Sequence, residues 1–318
     1  MTVLHRVTLT RDVTATRLGF GCGGLMRLPS RSARRRLLDA AFDSGMTHFD
    51  VARMYGLGQA EVELGRFARG RRSDITIATK FGIETRVGLS QVARLQRPAR
   101  ALLATFPTLR GAIKRRGDLM DTPRHYDART ARRSLEESLK QVGTDYFDIL
   151  FVHDPRPTDV VDVEELCEFA EEAQREGKIR SWGVASEQDT VAGLMDVLGQ
   201  EAVLQTRYDI FSPLRPAPGD GRPLILFGFL ASALERLTRA AREPGLGKTL
   251  ARFLEQGDRS IADYLLLDAL YAYANPIVLV STVHPARVSR AMEVAQNMTP
   301  ADLVSFRTLL TDAGVLPS

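Results

Sequence analysis

The chain has 318 residues, of which 44% are hydrophobic, and its formal net charge is +4. This length is typical of one large α/β domain with a substantial core. No stretch reaches the roughly 20 apolar residues of a membrane span, and the first residues lack the apolar core of a signal peptide. The two cysteines, Cys22 and Cys167, form neither a disulfide framework nor a metal-ligand pattern. We therefore expect a reduced, cytoplasmic protein with no membrane association and no metal.

The basic residues are almost all arginine. Lysine occurs only at positions 80, 114, 140, 178 and 248, so 38 of the 43 basic residues are Arg. A basic balance can indicate nucleic-acid binding, but no recognised motif for that function accompanies the charge. GC-rich codon usage explains the arginine bias more simply. We expect no nucleic-acid partner, and the sequence leaves the oligomeric state open.

A β-hairpin is predicted first, with strands at 6–10 and 13–16 and a turn at Arg11-Asp12. Eight short apolar runs of the buried, parallel type follow, near 18–22, 47–52, 75–80, 146–152, 181–185, 202–208, 224–228 and 277–281. Helical periodicity lies between them, for example at 31–44, 60–69, 128–142, 163–177 and 259–273. Eight alternating units predict one closed (β/α)₈ barrel, a TIM barrel, as a single domain over residues 1–318.

Capping residues support the helix predictions. Asp127 is placed to cap the helix at 128–142, and Gly143 is placed to end it. Thr299 and Pro300 begin the last predicted helix, with proline at the tolerated first position, and Gly314 ends it.

Two connections are longer than a minimal barrel needs. Residues 81–127 follow the third barrel strand and carry several arginines among apolar residues, and the Pro/Gly-rich residues 210–223 follow the sixth. Both leave from the carboxyl ends of strands, where TIM barrels place their chemistry. We expect 81–127 to be an insertion that forms a lid or wall over the barrel mouth, with one or two short helices.

Three of the apolar runs end in residues suited to proton transfer. The run from His48 to Gly56 brings Asp50 and Tyr55, the run from Ile75 ends at Lys80, and the run from Ile149 reaches His153. A phenol has a pKa of about 10, and a neighbouring ammonium lowers it while a carboxylate fixes the ammonium. These residues therefore have the parts of a general acid site that uses neither a metal nor a covalent nucleophile.

This combination resembles the aldo-keto reductase family over almost the whole chain. Further matches are Tyr55-Gly56-x-Gly58-x-x-Glu61-x-x-Leu64-Gly65, and Ser134 to Leu139 followed by Gly143 to Asp148. The resemblance implies a hairpin that closes the bottom of the barrel and a nicotinamide dinucleotide extended across its mouth. It implies hydride transfer to or from a carbonyl or alcohol, with Tyr55 as acid or base, Lys80 and Asp50 tuning it, and His153 holding the substrate oxygen.

The same resemblance implies residues for the nicotinamide. The family motif Gly-Val-Ser-Asn corresponds here to Gly183-Val184-Ala185-Ser186, so Ser186 can still hold the carboxamide whereas Ala185 cannot. Gln205 matches a second carboxamide partner, and Phe227 aligns best with the aromatic residue that stacks on the ring. No Gly-x-Gly-x-x-Gly fingerprint is present, so a Rossmann mode is not indicated.

The segment after the eighth strand resembles the family's adenosine-phosphate site. Arg287 stands where NADP-using members place an arginine on the 2′-phosphate, and the hydroxyls of Ser281 and Thr282 also suit a phosphate. NADPH is therefore the expected cofactor, together with a small-molecule carbonyl or alcohol substrate.

Two alternatives remain open. The same site could reduce an imine, a conjugated alkene or a sugar lactol. A dinucleotide-binding regulatory subunit without physiological turnover would carry the same residues.

Overall fold

The structure is a computed structural model that describes residues 6–83, 123–156, 159, 161–194, 201–213 and 222–317. Its centre is a closed barrel of eight parallel strands in the order β10-β3-β4-β5-β6-β7-β8-β9, preceded by the antiparallel hairpin β1-β2. The strands are β1 Arg6–Thr10, β2 Val13–Thr16, β3 Leu18–Gly21, β4 His48–Asp50, β5 Thr76–Phe81, β6 Phe147–His153, β7 Ile179–Ser186, β8 Val203–Arg207, β9 Leu224–Phe227 and β10 Ile277–Val280. The predicted (β/α)₈ barrel with an N-terminal hairpin is confirmed.

Helices surround the barrel. They are α1 Arg31–Asp43, α2 Gln59–Ala68, α3 Ala128–Val142, α4 Val163–Arg175, α5 Gln188–Leu194, α6 Ala231–Ala240, α7 Pro244–Gly257, α8 Ile261–Tyr271, α9 Pro285–Asn297 and α10 Pro300–Asp312. The Asp127 side chain caps α3 by accepting from the Thr130 backbone N–H, and Gly143 ends it with a φ of 71°. Among the helices described, none is long and apolar enough to cross a membrane.

Apolar side chains form two cores. The larger core lies between the barrel and its helices, and it includes Phe49, Phe67 and Leu135. The smaller core fills the barrel interior, where hairpin side chains such as Val13 pack with strand side chains such as Phe151. The hairpin therefore closes one end of the barrel.

That closed end is the amino-terminal end of the strands. The Thr16 backbone N–H at the end of the hairpin donates to Oγ1 of Thr47, which directly precedes β4, at 3.0 Å. The carboxyl ends of the strands consequently form the open mouth, as the sequence resemblance implies.

The register of the strands brings the predicted site residues to this mouth. Asp50 pairs with Ala78 on β5, Lys80 pairs with Phe151 on β6, and Ala185 on β7 pairs with Gln205 on β8. In a parallel barrel, paired residues lie at similar heights along the barrel axis. The polar side chains therefore gather at one level.

Both long connections fall largely outside the described residues, which omit 84–122 and 214–221. The described flanks of the first connection, 81–83 and 123–127, lie at the carboxyl end of β5. The lid role of 81–127, and the single domain over 1–318 that includes it, stay predictions.

Candidate active site

A buried ion pair forms the base of the candidate site. Lys80, near the end of β5, donates through Nζ to Oδ2 of Asp50 at the end of β4, and also approaches the Val51 carbonyl oxygen at 3.4 Å. Both residues are at least 96% buried, since their exposed fractions are 4% and 3%. A buried charge pair needs further hydrogen bonds to offset its desolvation cost. Gln205 provides one of them.

Gln205 links the ion pair to the neighbouring strand. Its Nε2 donates to Oδ2 of Asp50 at 2.8 Å. A carboxylate can only accept, so the amide nitrogen must face Asp50 and the amide oxygen must face away. That oxygen is buried and has no hydrogen-bond partner among the described residues. The site therefore offers a buried acceptor to a ligand that carries an N–H group.

Tyr55 follows β4 in a tight turn. Its backbone N–H donates to the Ala52 carbonyl at 3.0 Å, and its ring lies with its centroid 6.0 Å from Lys80 Nζ. Burial raises the pKa of the Tyr55 phenol, and the negative charge of Asp50 raises it further. Because burial and Asp50 both raise it, the pKa of the phenol does not lie below its ordinary value, although the sequence context predicts that it would. Tyr55 is accordingly a neutral O–H donor.

His153 is the last residue of β6, and its half-buried ring stands edge-on to the Tyr55 ring. The ring centroids are 6.1 Å apart and the interplanar angle is 85°. Burial lowers the pKa of His153 to about 3, with further lowering by the positive charges of Lys80 and Arg124. The imidazole is therefore neutral near pH 7, and it can donate one N–H and accept at its other nitrogen.

Sequence reasoning missed residues that surround these side chains. Cys22, directly after β3, is fully buried and interacts electrostatically with Asp50 and Lys80. Arg124 and Tyr126 contact the backbone at the end of β6. In the sequence, Arg124 and Tyr126 are distinguished only by their position between the long connection and Asp127, the cap of α3.

The residues expected to hold the nicotinamide lie on neighbouring strands. Ser186 is buried at the end of β7 and donates through Oγ to the Pro155 carbonyl at 3.1 Å, which leaves the oxygen's lone pairs for a ligand. Phe227, at the end of β9, is partly buried against the barrel-interior core. The Arg207 guanidinium lies 5.6 Å from its ring centroid.

The residues expected at the adenosine phosphate lie after β10. Ser281 donates through Oγ to the Gly21 carbonyl at 3.3 Å, and Oγ1 of Thr282 accepts from the His284 backbone N–H at 3.1 Å. Arg287 is exposed in the first turn of α9, where the helix dipole also favours an anion. Arg290, one turn further, is instead held by Asp263 at 2.8 Å.

A closed parallel barrel with ionisable side chains gathered at the carboxyl ends of its strands is the architecture of the (β/α)₈-barrel enzymes. Residues 17–216 match the family model described as the aldo/keto reductase family. The chain belongs to the aldo/keto reductase family, a family of oxidoreductases.

Curated relatives agree with this assignment. The NADP(+) aldo-keto reductase yakc of Schizosaccharomyces pombe is 28% identical over 205 residues, which are 63% of this chain and 51% of its own length. D-threo-aldose 1-dehydrogenase of a Pseudomonas species is 30% identical over 187 residues, 53% of this chain and 49% of its own. The chain spans about half the length of these first curated relatives. The oxidoreductase YqkF of Bacillus subtilis is 24% identical over 94% of both chains.

Solved structures show the same fold at lower identity. An aldo-keto reductase from Bacillus halodurans in its holo form has a TM-score of 0.70 at 20% identity, with 96% of each chain covered. An aldo-keto reductase from Klebsiella pneumoniae in complex with NADPH has a TM-score of 0.66 at 18% identity, with 100% of this chain and 98% of that chain covered.

Proposed function

We propose that the protein transfers a hydride between NADPH and a carbonyl or alcohol substrate, with Tyr55 as the general acid or base. The observation that carries this proposal is the Asp50 carboxylate, which accepts from both Lys80 and Gln205. Asp50 thereby links Lys80, which is suited to proton transfer, with Gln205, which is suited to hold a nicotinamide. The proposal extends to one domain over residues 1–318 that acts on a small molecule.

The cofactor is supported by the chemistry of the described donors and acceptors. The buried, unpartnered Oε1 of Gln205 suits a carboxamide N–H, and Ser186 Oγ offers a second acceptor. Phe227 offers an aromatic face near the mouth. The exposed guanidinium of Arg287, with the hydroxyls of Ser281 and Thr282, suits the 2′-phosphate that distinguishes NADPH from NADH. When bound, NADPH supplies the hydride.

In the reducing direction, Tyr55 gives its Oη proton to the substrate oxygen as negative charge develops there. The phenolate left behind gains from the ammonium of Lys80, which Asp50 keeps in place. His153 is neutral, so its N–H can orient the same oxygen by hydrogen bonding without competing as the acid. In the oxidising direction, the Tyr55 phenolate takes the proton from the alcohol.

The direct test is the consumption of NADPH by the purified protein with a panel of aldehydes, ketones and sugars, compared with Tyr55→Phe. The variant keeps the ring but has no proton to give. We expect turnover to fall by about 10²–10⁴-fold, as for loss of a general acid. Dinucleotide binding, measured by cofactor fluorescence, should remain nearly intact.

Other results would redirect the proposal. Turnover of imines, conjugated alkenes or lactols alone would keep the site and change the substrate class. Binding of NADPH without turnover of any panel member would support the regulatory subunit. A Tyr55→Phe enzyme that retains more than about a third of wild-type turnover, with chemistry limiting, would remove Tyr55 from its role.

A further inference from the structure

A short stem ties together the two ends of the long connection after β5. We define the stem as Gly82–Ile83 and Arg124–Tyr126. Ile83 and Arg124 form an antiparallel bridge, and the His125 backbone N–H donates to the Gly82 carbonyl at 2.9 Å. Gly82 has a φ of 111°, and a Cβ there would lie 2.2 Å from the Tyr126 ring. The ring therefore packs directly on the Gly82 backbone, as only glycine allows.

The stem is bonded to the end of β6. The single proton of the Tyr126 hydroxyl is shared between the His153 carbonyl at 2.9 Å and the Asp154 carbonyl at 3.1 Å. Arg124 donates to the Asp154 carbonyl and, at 3.2 Å, to its carboxylate Oδ2. Tyr126 is only 3% exposed, so little water competes for these bonds.

The peptide group between His153 and Asp154 is thereby fixed from two sides. The Asp154 N–H donates to the Ala185 carbonyl at 2.6 Å, while the His153 carbonyl accepts from Tyr126. Asp154 has a φ of 49°, a left-handed conformation that is uncommon for non-glycine residues and that aspartate tolerates better than most. The chain is consequently held in one conformation directly after His153.

This restraint matters because little else orients the His153 side chain. Its imidazole makes no hydrogen bond to any residue that the structure describes, and its described ring contact is the edge-on approach to Tyr55. The direction of the ring therefore depends on the backbone from which it projects.

We propose that Tyr126, assisted by Arg124, is a positioning residue that acts through His153. The stem holds the His153–Asp154 peptide so that the imidazole points at the reacting oxygen. This inference rests on the proposed function, in which His153 orients that oxygen. The two ends of the long connection would then supply the groups that fix the carboxyl end of β6.

The first test is Tyr126→Phe, which keeps the ring on Gly82 and removes the hydroxyl. The matched control is Tyr208→Phe, because the Tyr208 hydroxyl is also buried but donates to Asp268 on α8 at 2.5 Å. A misplacement of a reacting group by 1 Å can cost about 10²-fold. We expect kcat to fall by roughly tenfold in Tyr126→Phe with an unchanged dinucleotide Kd. Tyr208→Phe should lower thermal stability similarly and keep wild-type kcat. Equal kcat in both variants would overturn the inference.

A double-mutant cycle shows whether Tyr126 acts through the imidazole. In a His153→Ala background, Tyr126→Phe should reduce kcat by less than about twofold, because the group that it positions is gone. The same tenfold loss in both backgrounds would assign Tyr126 to another part of the site and contradict the proposal.

A measurement without turnover separates this inference from the proposed function. The His153 ring resonances, assigned by their loss in His153→Ala, should shift or broaden in Tyr126→Phe and stay unchanged in Tyr208→Phe. Unchanged resonances in Tyr126→Phe would overturn the positioning role. If the resonances respond but wild-type protein turns over no substrate in the panel, the positioning geometry stands and the proposed function fails.

Discussion

Two buried aspartates, at opposite ends of the barrel, illustrate different uses of a carboxylate. Asp148 lies near the amino-terminal end of β6, where Oδ1 accepts from Arg180 at 2.8 Å and Oδ2 accepts from Arg72 at 2.8 Å and from the Ile77 N–H at 2.7 Å. Asp50 lies at the mouth, where Oδ2 accepts from both Lys80 and Gln205.

The two sites differ in whether the partners of the aspartate keep hydrogen-bonding groups that are not used within the protein. The guanidinium carbons of Arg72 and Arg180 also lie 3.8 Å and 4.4 Å from the Tyr146 ring centroid. The charged groups of this cluster therefore have their partners within the cluster. At the mouth, Gln205 keeps a buried acceptor without a described partner, and the Tyr55 and His153 rings meet edge to face. Fully satisfied buried groups stabilise a fold, whereas an unsatisfied one at an open mouth is available to a further partner. The two ends should therefore respond differently to substitution.

The largest effect should follow removal of the cation at the mouth. Lys80→Met keeps much of the side-chain volume and deletes the charge beside the Tyr55 phenolate. We expect turnover to fall by about 10²–10⁴-fold and the alkaline pKa of any residual pH–rate profile to rise. Steady-state kinetics across pH measures both. An unchanged pH profile would mean that Lys80 does not tune the acid, despite its contact with Asp50.

The matching change at the closed end should act on stability instead. Arg72→Met removes one partner of Asp148 and leaves Arg180 and the Ile77 N–H. Loss of one partner of a buried pair typically costs about 3–5 kcal/mol, and the remaining bonds place the expected loss near the lower value. Denaturant unfolding would measure it, while kcat per folded molecule should match wild type. A loss of kcat larger than the loss of folded protein would break the proposed division between the two ends.

Much of this arrangement is predictable from sequence because it is local. The strand ends at Asp50, Lys80 and His153 follow from short apolar runs, and the α3 cap follows from Asp127. The bond between Gln205 and Asp50 joins residues 155 positions apart, and it depends on which strands meet across the barrel. No spacing rule supplies that information.

The same limit explains why the pKa of Tyr55 differs from the expectation drawn from its sequence context. Its sequence context predicts a phenol beside an ammonium, and the structure does place Lys80 near the ring. The pKa of Tyr55 nevertheless lies above its ordinary value, because burial and the negative charge of Asp50 raise it. Burial and charge partners are tertiary properties. For the same reason, the contacts of Arg124 and Tyr126 with the β6 terminus could not be inferred from the residues around them.

At the outer rim of the mouth, the expected effect is smaller and specific to one cofactor. Arg287 is exposed, and its charge-assisted bond to a phosphate would be worth roughly 1.5–3 kcal/mol. Arg287→Ala should therefore weaken NADPH binding by about 10- to 150-fold and change NADH binding far less. Fluorescence titration with both dinucleotides provides the comparison. Equal losses would place Arg287 on the adenine or in the fold.

The effect that is smallest at neutral pH concerns a histidine at the start of β4, on the structural side of the comparison. His48 is fully buried, its Nδ1 lies 2.9 Å from Thr76 Oγ1, and burial lowers its pKa to about 4. The unfolded chain, with an ordinary histidine pKa of about 6.5, takes up this proton first as pH falls. The contribution of His48 to stability is therefore complete above about pH 6.5 and declines progressively down to about pH 4. Within that window, the free energy of unfolding should fall by about 1.4 kcal/mol for each pH unit that the pH is lowered, for this one proton.

Denaturant unfolding at several pH values tests this. The slope of the unfolding free energy against pH should be smaller by this amount in His48→Gln. The exposed His284 serves as control, since His284→Gln makes the same substitution at a histidine that folding does not bury. Identical slopes in all three proteins would mean that His48 takes up its proton equally in the folded and unfolded states, contrary to its burial.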